Sequence, residues 1–389
     1  MATRKIRLMH CVLELGIGGL QRLISEMTMA MDRDVFDVEV CCYDGLGCFA
    51  DSMRAQGIPV TLLQKNQKRF DPFYPFRLAA YMRKRKPDIV QMHSGSWVFG
   101  VIAARLARVP VTVYTDHGRA LVEEKVRLVE DRISAVLGDQ IIAVSKELEV
   151  YLAEVVKLPP KKIRTVINGL PTKTFAPRPK SSALLAEFNI PADCAVLGTV
   201  ARLDGVKDQL SMIRAFELVH QQQPNSRLII VGDGPLRASL TDYITAHKLE
   251  GRVIITGERR DVPALLNLFD LFLLSSLSEG TSVSVLEAMS SGVTPIVTNV
   301  GGNPSIVKHS IDGIVVEPAD PAAMANAALA LLENADLRRT MAGRAVAKVR
   351  EEYSIDTMVR KYVDIYIEHL ARKRRSRHLV RDMAVRMKA

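Results

Sequence analysis

The 389-residue chain contains no run of apolar residues approaching the ~20 that a membrane-spanning helix requires, so no span is expected. Its opening stretch, KIRLMHCVLELGIGG, has too short an apolar segment and no A-x-A site for a secretory signal, which sets the expectation of a cytoplasmic protein. C-x-x-C pairs are also missing. The five cysteines, Cys11, Cys41, Cys42, Cys48 and Cys194, are an odd number sitting mostly in apolar stretches, and they are expected to be buried thiols of a reducing compartment. Low-complexity segments are absent. Acidic residues are scarce at one end only: residues 371–389 carry eight Arg or Lys against the single Asp382, a net +7 out of the chain's +10. Such an end suits a solvated terminus or an anionic lipid surface. Without interleaved aromatics it is a poor stacking platform, so nucleic acid is the weakest of its partners.

What is present is a soluble composition, 48% hydrophobic and 25% charged, in a chain long enough for two domains. Short apolar runs alternate with longer amphipathic ones, a βαβ rhythm that predicts parallel sheets. In the first half the predicted strands are IRLMHCVL, FDVEVCCY, IPVTLL, PDIVQM, VTVYT and DQIIAV, with helices such as LQRLISEMTMAM, PFRLAAYMRKR and WVFGVIAARLA between them. A second series follows: AVLGTVA, RLIIVG, RVIITG, LFLLSS, TPIVTN and DGIVVEP. Pro171, Pro177, Pro179 and neighbouring turn formers interrupt both periodicities at 168–182. The reading is an α/β chain of two doubly wound, Rossmann-like domains, 1–170 and 171–354, with a C-terminal helix at 355–389 returning to the first. Ligands of open α/β sheets bind outside the carboxyl ends of strands, so two such sheets are expected to face a central cleft.

Glycine turns at strand ends are the first candidates for chemistry. In ELGIGGLQRLI, Gly16, Gly18 and Gly19 follow the first strand and open a helix, where the backbone can approach a phosphate and the helix N-terminus adds partial positive charge. Gln21 occupies the last position of a G-x-G-x-x-G dinucleotide fingerprint, so that reading lacks its third glycine. VGDGPLR repeats the arrangement, with Gly232 at a turn and Asp233 placed to cap the following helix. In TVARLDGVKDQL, Arg202 and Lys207 end the second domain's first strand. There they can neutralise a diphosphate, Arg as a fork and Lys as a point charge, or merely pair with Asp204 and Asp208.

The stretch SEGTSVSVLEAMSSG places Glu279 in the loop after LFLLSS and Glu287 two turns into the next helix, with Gly280 at the turn and Thr281 or Ser282 as its cap. Eight residues at ~100° leave the acids about 80° apart around a helix, so they address neighbouring parts of one ligand. A carboxylate accepts two hydrogen bonds at once, which matches vicinal hydroxyls of a ribose or hexose. The bland alternative is a dipole-complementing acid beside an unrelated surface acid. His117 in TDHG and His93 in QMHSG also end predicted strands, although a lone histidine is more often structural. Asp32 and Asp34 form a D-x-D like that of metal-dependent sugar transferases, but they precede a strand instead of ending one. No metal site is assigned.

In this order GIGGLQR, TDHG, VINGLPTKTFAP, ARLDGVKDQL, VGDGPLR, ITGERRDVPALL, SSLSEGTSVSVLEAMSSG and VGGNPSIV resemble the large retaining glycosyltransferase family 4, with its E-x7-E motif, which includes bacterial mannosyl- and glucosyltransferases and sucrose synthase. The resemblance covers almost the whole chain and implies the GT-B fold, a nucleoside-diphosphate sugar donor and no cofactor or metal. It implies that Arg202 and Lys207 bind the diphosphate, Glu279 the hexose hydroxyls and Glu287 the ribose, that Gly18 and Gly19 approach the phosphate, and that His117 lies against the donor sugar. Within the family the chain is most similar to transferases of exopolysaccharide loci linked to the exosortase system, which implies a carbohydrate or lipid-linked acceptor. It departs from the family at Gln21, where Glu is common, at Pro171, where an acidic residue is usual, and at Ser282, where Gly or Pro is common. A nucleotide-sugar epimerase of the same architecture would convert the donor without an acceptor, and a non-catalytic nucleotide-sugar binder would show no turnover.

Overall fold

Parallel strands covered on both faces read as near-continuous apolar runs, and the inner strands here are buried in that way. The computed structural model describes residues 4–16, 19–64, 71–118 and 125–373. They divide into two units, Met1–Gly169 with Ile355–Ala389, and Leu170–Ser354.

The first unit holds β1 (Ile6–Val12), β2 (Phe36–Cys42), β3 (Val60–Leu62), β4 (Ile89–His93), β5 (Val111–Asp116), β6 (Gln140–Ala143) and β7 (Ile163–Thr165), paired in parallel in the order 3-2-1-4-5-6-7. Alternation sends Met9, Cys11, Val90, Met92 and Tyr114 into one core, where Trp97 stacks on Tyr114 at 4.0 Å. Leu8, Ile89, Val111 and Val113 point the other way, onto Tyr362, Tyr366 and their neighbours in the helix Ile355–Arg372. That second face also carries polar residues, and the helix satisfies them. Tyr366 donates to Gln91 Oε1, Tyr362 shares a 3.2 Å bond with Thr115, and His369 Nε2 lies 3.0 Å from Gln140 Oε1. The predicted helix runs to residue 389; its described part ends at Arg372, and the basic residues 374–389 lie outside the described residues.

The second unit holds β8 (Ala195–Val200), β9 (Ser226–Val231), β10 (Val253–Gly257), β11 (Leu271–Leu274), β12 (Thr294–Thr298) and β13 (Ile314–Val316), parallel in the order 10-9-8-11-12-13. A main-chain bond from Leu170 N to Tyr353 O, 2.7 Å, ties its two ends together.

Three expectations need correction. β7 was not predicted: its three residues, Ile163, Arg164 and Thr165, are too few and too polar to give an apolar run, and it forms as an edge strand paired with β6. The strand predicted through LFLLSS stops at Leu274, because Ser275 turns its hydroxyl onto the main-chain oxygens of Lys207 and Asp208, each 2.8 Å away. Cys48, expected to be buried, is exposed at the start of a helix, whereas the other four thiols are buried. Among the described residues no helix is long and apolar enough to cross a membrane.

Candidate functional site

In the second unit the strand order reverses between β8 and β11, the place where an open α/β sheet leaves a crevice at its carboxyl edge. Four loops leave that edge, 201–208 after β8, 232–236 after β9, 275–282 after β11 and 299–302 after β12. They are bonded to one another. Leu203 N donates to Asp233 O (3.0 Å), Leu236 N to Leu203 O (3.1 Å), Leu277 N to Val206 O (2.8 Å) and Thr298 Oγ1 to Ser276 O (2.7 Å). Two close approaches explain the glycines. A Cβ on Gly232, at φ +141°, would stand 2.0 Å from Ala201 O, and one on Gly301, at φ +51°, would stand 1.7 Å from Glu279 O.

This packing brings together Lys207 and Glu279, 72 residues apart in sequence. Lys207 Nζ lies 2.6 Å from Glu279 Oε1, and Ser276 Oγ donates to the same oxygen at 2.6 Å. The Glu279 side chain is only 8% exposed, so its charge is held by this pair of donors and is not free in solvent. Lys207 therefore does not pair through its ammonium with Asp204 or Asp208. Asp204 Oδ1 instead accepts from Lys207 N (3.2 Å), and Asp208 caps the next helix through Ser211 N (3.3 Å). Arg202 is exposed at the same strand end, and its main-chain oxygen accepts from Gln209 Nε2 at 2.7 Å.

Gly280 is exposed, Thr281 is half-buried, and Glu287 lies half-buried on the helix Val283–Ser290. Ser282 is the residue preceding that helix, but its hydroxyl makes no capping bond and faces Ser284 Oγ at 3.4 Å. The expected cap at Asp233 is also absent. The helix begins at Arg237 after Leu236, and Asp233 accepts from Gly234 N (2.7 Å) and from Arg237 Nη1 (2.8 Å).

In the first unit the order reverses between β1 and β4. His93 closes β4 and His117 follows β5, and the two rings meet, His93 Nδ1 to His117 Nε2, at 2.9 Å. A third ring, His10 on β1, places its Nδ1 3.1 Å from His93 Nε2. Burial pushes the pKa of His10 and of His117 down to about 3, and that of His93 well below the ordinary value, the neighbouring imidazoles adding to the last. All three rings are neutral at pH 7. Gly19 opens the helix Gly19–Met29, and Gly18 lies outside the described residues. Asp32 and Asp34 sit in the turn before β2, where Asp32 Oδ1 accepts from Asp34 N, at the opposite end of the strands from the β1/β4 switch point.

Sequence reasoning missed Ser276, Gly301 and His10. A pair of serines before Glu279 and a double glycine after β12 were signals for the first two; nothing local marks His10.

Residues 182–347 match the family described as glycosyl transferases group 1, and residues 17–174 match glycosyltransferase family 4. The chain is 30% identical over 383 residues, 95% of its own length and 98% of the relative's, to the Escherichia coli UDP-Gal:alpha-D-GlcNAc-diphosphoundecaprenol alpha-1,3-galactosyltransferase. It is 32% identical over 233 residues, 60% of each chain, to the N-acetyl-alpha-D-glucosaminyl L-malate synthase of Bacillus anthracis. Among solved structures, a glycosyltransferase of Rickettsia africae superposes with a TM-score of 0.80 at 20% identity, over 94% of this chain and 99% of that one. Anabaena HepE, solved in complex with UDP, gives 0.76 at 22% identity, over 92% and 99%. On the whole-length match to the E. coli enzyme and the two family matches, the chain belongs to the glycosyltransferases of family 4, with the GT-B fold of two Rossmann-like domains.

Proposed function

We propose that this glycosyltransferase moves a hexosyl group, with retention of configuration, from a nucleoside-diphosphate sugar to an acceptor hydroxyl in polysaccharide or glycolipid synthesis. The observation that carries the reading is the joining of Lys207 to Glu279 across the β8/β11 switch point, on the same strand end as Arg202. An ammonium has three donors, so Lys207 can hold Glu279 and still donate to a phosphate oxygen. The Arg202 guanidinium adds a planar fork. Glu279, with Oε1 occupied by two donors, keeps Oε2 to accept from hexose hydroxyls, and Glu287 is assigned to the ribose. As the glycosidic bond breaks, negative charge collects on the departing diphosphate, where Arg202 and Lys207 are placed to stabilise it. The acceptor attacks the anomeric carbon from the face the diphosphate leaves.

The E. coli relative acts with UDP-Gal on a diphosphoundecaprenol-linked sugar. By that likeness the donor here is a UDP-hexose and the acceptor is lipid-linked, with the enzyme cytoplasmic and its basic end, 374–389, on the anionic membrane surface. Because side-chain cations are assigned the leaving-group charge, transfer is expected to proceed without a divalent metal.

The test is a thermal-shift screen of UDP-, GDP- and ADP-sugars followed by transfer to a polyprenyl-diphosphate sugar, with and without EDTA. Arg202→Ala should lower kcat about 10²- to 10³-fold, and EDTA should leave the rate unchanged. If no nucleotide sugar stabilises the protein and Arg202→Ala turns over like the wild type, the assignment is wrong.

A further inference from the structure

His10, His93 and His117 form a series across β1, β4 and the end of β5. The ring centroids are 5.4 and 5.2 Å apart with interplanar angles of 28° at both steps. The register explains the line: His10 is level with Gln91 in β4 and His93 with Thr115 in β5, all on one face, so each ring reaches the one a step further along the neighbouring strand. Main-chain bonds fix the last two. His93 N donates to Ser96 Oγ and His117 N to Ser94 Oγ, both at 3.0 Å.

A neutral imidazole has one N–H and one lone pair. His93 uses both nitrogens, one toward each neighbour, so it donates to one and accepts from the other. His10 and His117 must then match it. A ring of the other tautomer would set two lone pairs, or two N–H groups, against each other at 2.9 or 3.1 Å. All three rings therefore carry the proton on the same nitrogen, all Nδ1 or all Nε2. The ends decide between the two. His10 Nε2 and His117 Nδ1 are covered and have no partner among the described residues. The all-Nε2 array leaves an orphaned N–H on His10, which is fully buried. The all-Nδ1 array leaves a lone pair there and puts the spare N–H on His117 Nδ1, an atom covered like His10 Nε2 but on the one residue of the three that is partly exposed and lies past the end of its strand. Orphaned buried N–H groups are rarer than under-used acceptors.

We infer that His10 and His93 are positioning residues that hold His117 as its Nδ1–H tautomer, in a one-directional array of three neutral imidazoles. The inference rests on the transferase reading only for the use of that N–H, which must be uncovered before it can donate to an oxygen of the donor sugar or its phosphate.

The test is a long-range proton–nitrogen NMR spectrum of the full chain labelled with ¹⁵N-histidine, near neutral pH, with each ring assigned by single substitution. Three buried rings protonated at Nδ1 are expected. Any of them found as the Nε2–H tautomer or as imidazolium overturns the array, and this holds whether or not transfer is observed. His93→Phe keeps a ring in the stack but removes both bonds. It should release the His117 proton toward Nε2 and lower kcat about tenfold, with little change in donor KM. A His117 tautomer unmoved by His93→Phe shows that His93 does not set it.

Discussion

At the scale of single residues, the candidate donor site depends as much on what is missing from Gly301 as on the charges nearby. Gly301 lies at φ +51°, and the Glu279 carbonyl oxygen occupies the place its Cβ would take, 1.7 Å away. Gly343, within the helix Ala335–Glu352, has nothing within 4 Å of its Cβ position. The same substitution should therefore act with opposite sign at the two sites. Gly301→Ala is expected to cost about 1–3 kcal/mol in backbone strain alone, and to push the Glu279 loop off Lys207 so that nucleotide-sugar binding is lost. Gly343→Ala should stabilise by about 0.5–1 kcal/mol. Chemical denaturation and calorimetric titration of both variants check this; an unstrained Gly301→Ala protein with intact binding contradicts the loop geometry. Arg202, Lys207 and Glu279 were legible in the sequence because each falls just beyond an apolar run. Their joining was not, since the Lys207–Glu279 pair depends on the order in which β8 and β11 pair, which no local pattern encodes.

Among the elements, the helix Ile355–Arg372 shows how polar residues select a docking partner for a sheet face. Gln91, Thr115 and Gln140 are buried polar side chains on the sheet face that the helix covers, and Tyr366, Tyr362 and His369 meet them one by one. Tyr366→Phe keeps the ring and deletes one donor, leaving Gln91 Oε1 buried without it. The expected loss is about 1–3 kcal/mol, read as a shift of the urea midpoint at unchanged slope; no shift would show that the bond contributes nothing net. The strands themselves were legible because burial on both faces leaves runs such as IRLMHCV and IVQMH. β7 was not, because an edge strand of three residues borrows its order from β6. The two expected helix caps failed for a related reason: Asp233 is drawn to Arg237 and Gly234, and the Ser282 hydroxyl to Ser284, contacts that outcompete the local rule.

Across the whole molecule the two units differ in their response to acid. In the first, His10, His93, His117 and His369 all have pKa values depressed chiefly by burial. In the second, burial lowers His220. A base depressed in the folded state takes up its proton in the unfolded chain first. The stability these rings contribute is therefore complete above the ordinary histidine value of 6.5 and is lost as the pH falls from there toward about 3, the folded value of His10 and His117. At pH 5 the loss reaches up to about 2 kcal/mol for each fully shifted ring. Depressed carboxylates such as Glu368, held down by its bonds to Arg164, add to acid unfolding only below their ordinary value of 4.5, while Glu39, raised by burial, takes its proton first in the folded chain and offsets part of the histidine loss. The chain carries one tryptophan, Trp97, packed against Tyr114 in the first unit, and its fluorescence reports that unit without labelling. Between pH 7 and 5 the denaturant midpoint followed by Trp97 should fall further than the remaining transition followed by circular dichroism. Equal shifts in the two signals would mean that the imidazoles of the first unit are not held neutral by burial, and the directional array would lose its basis with them.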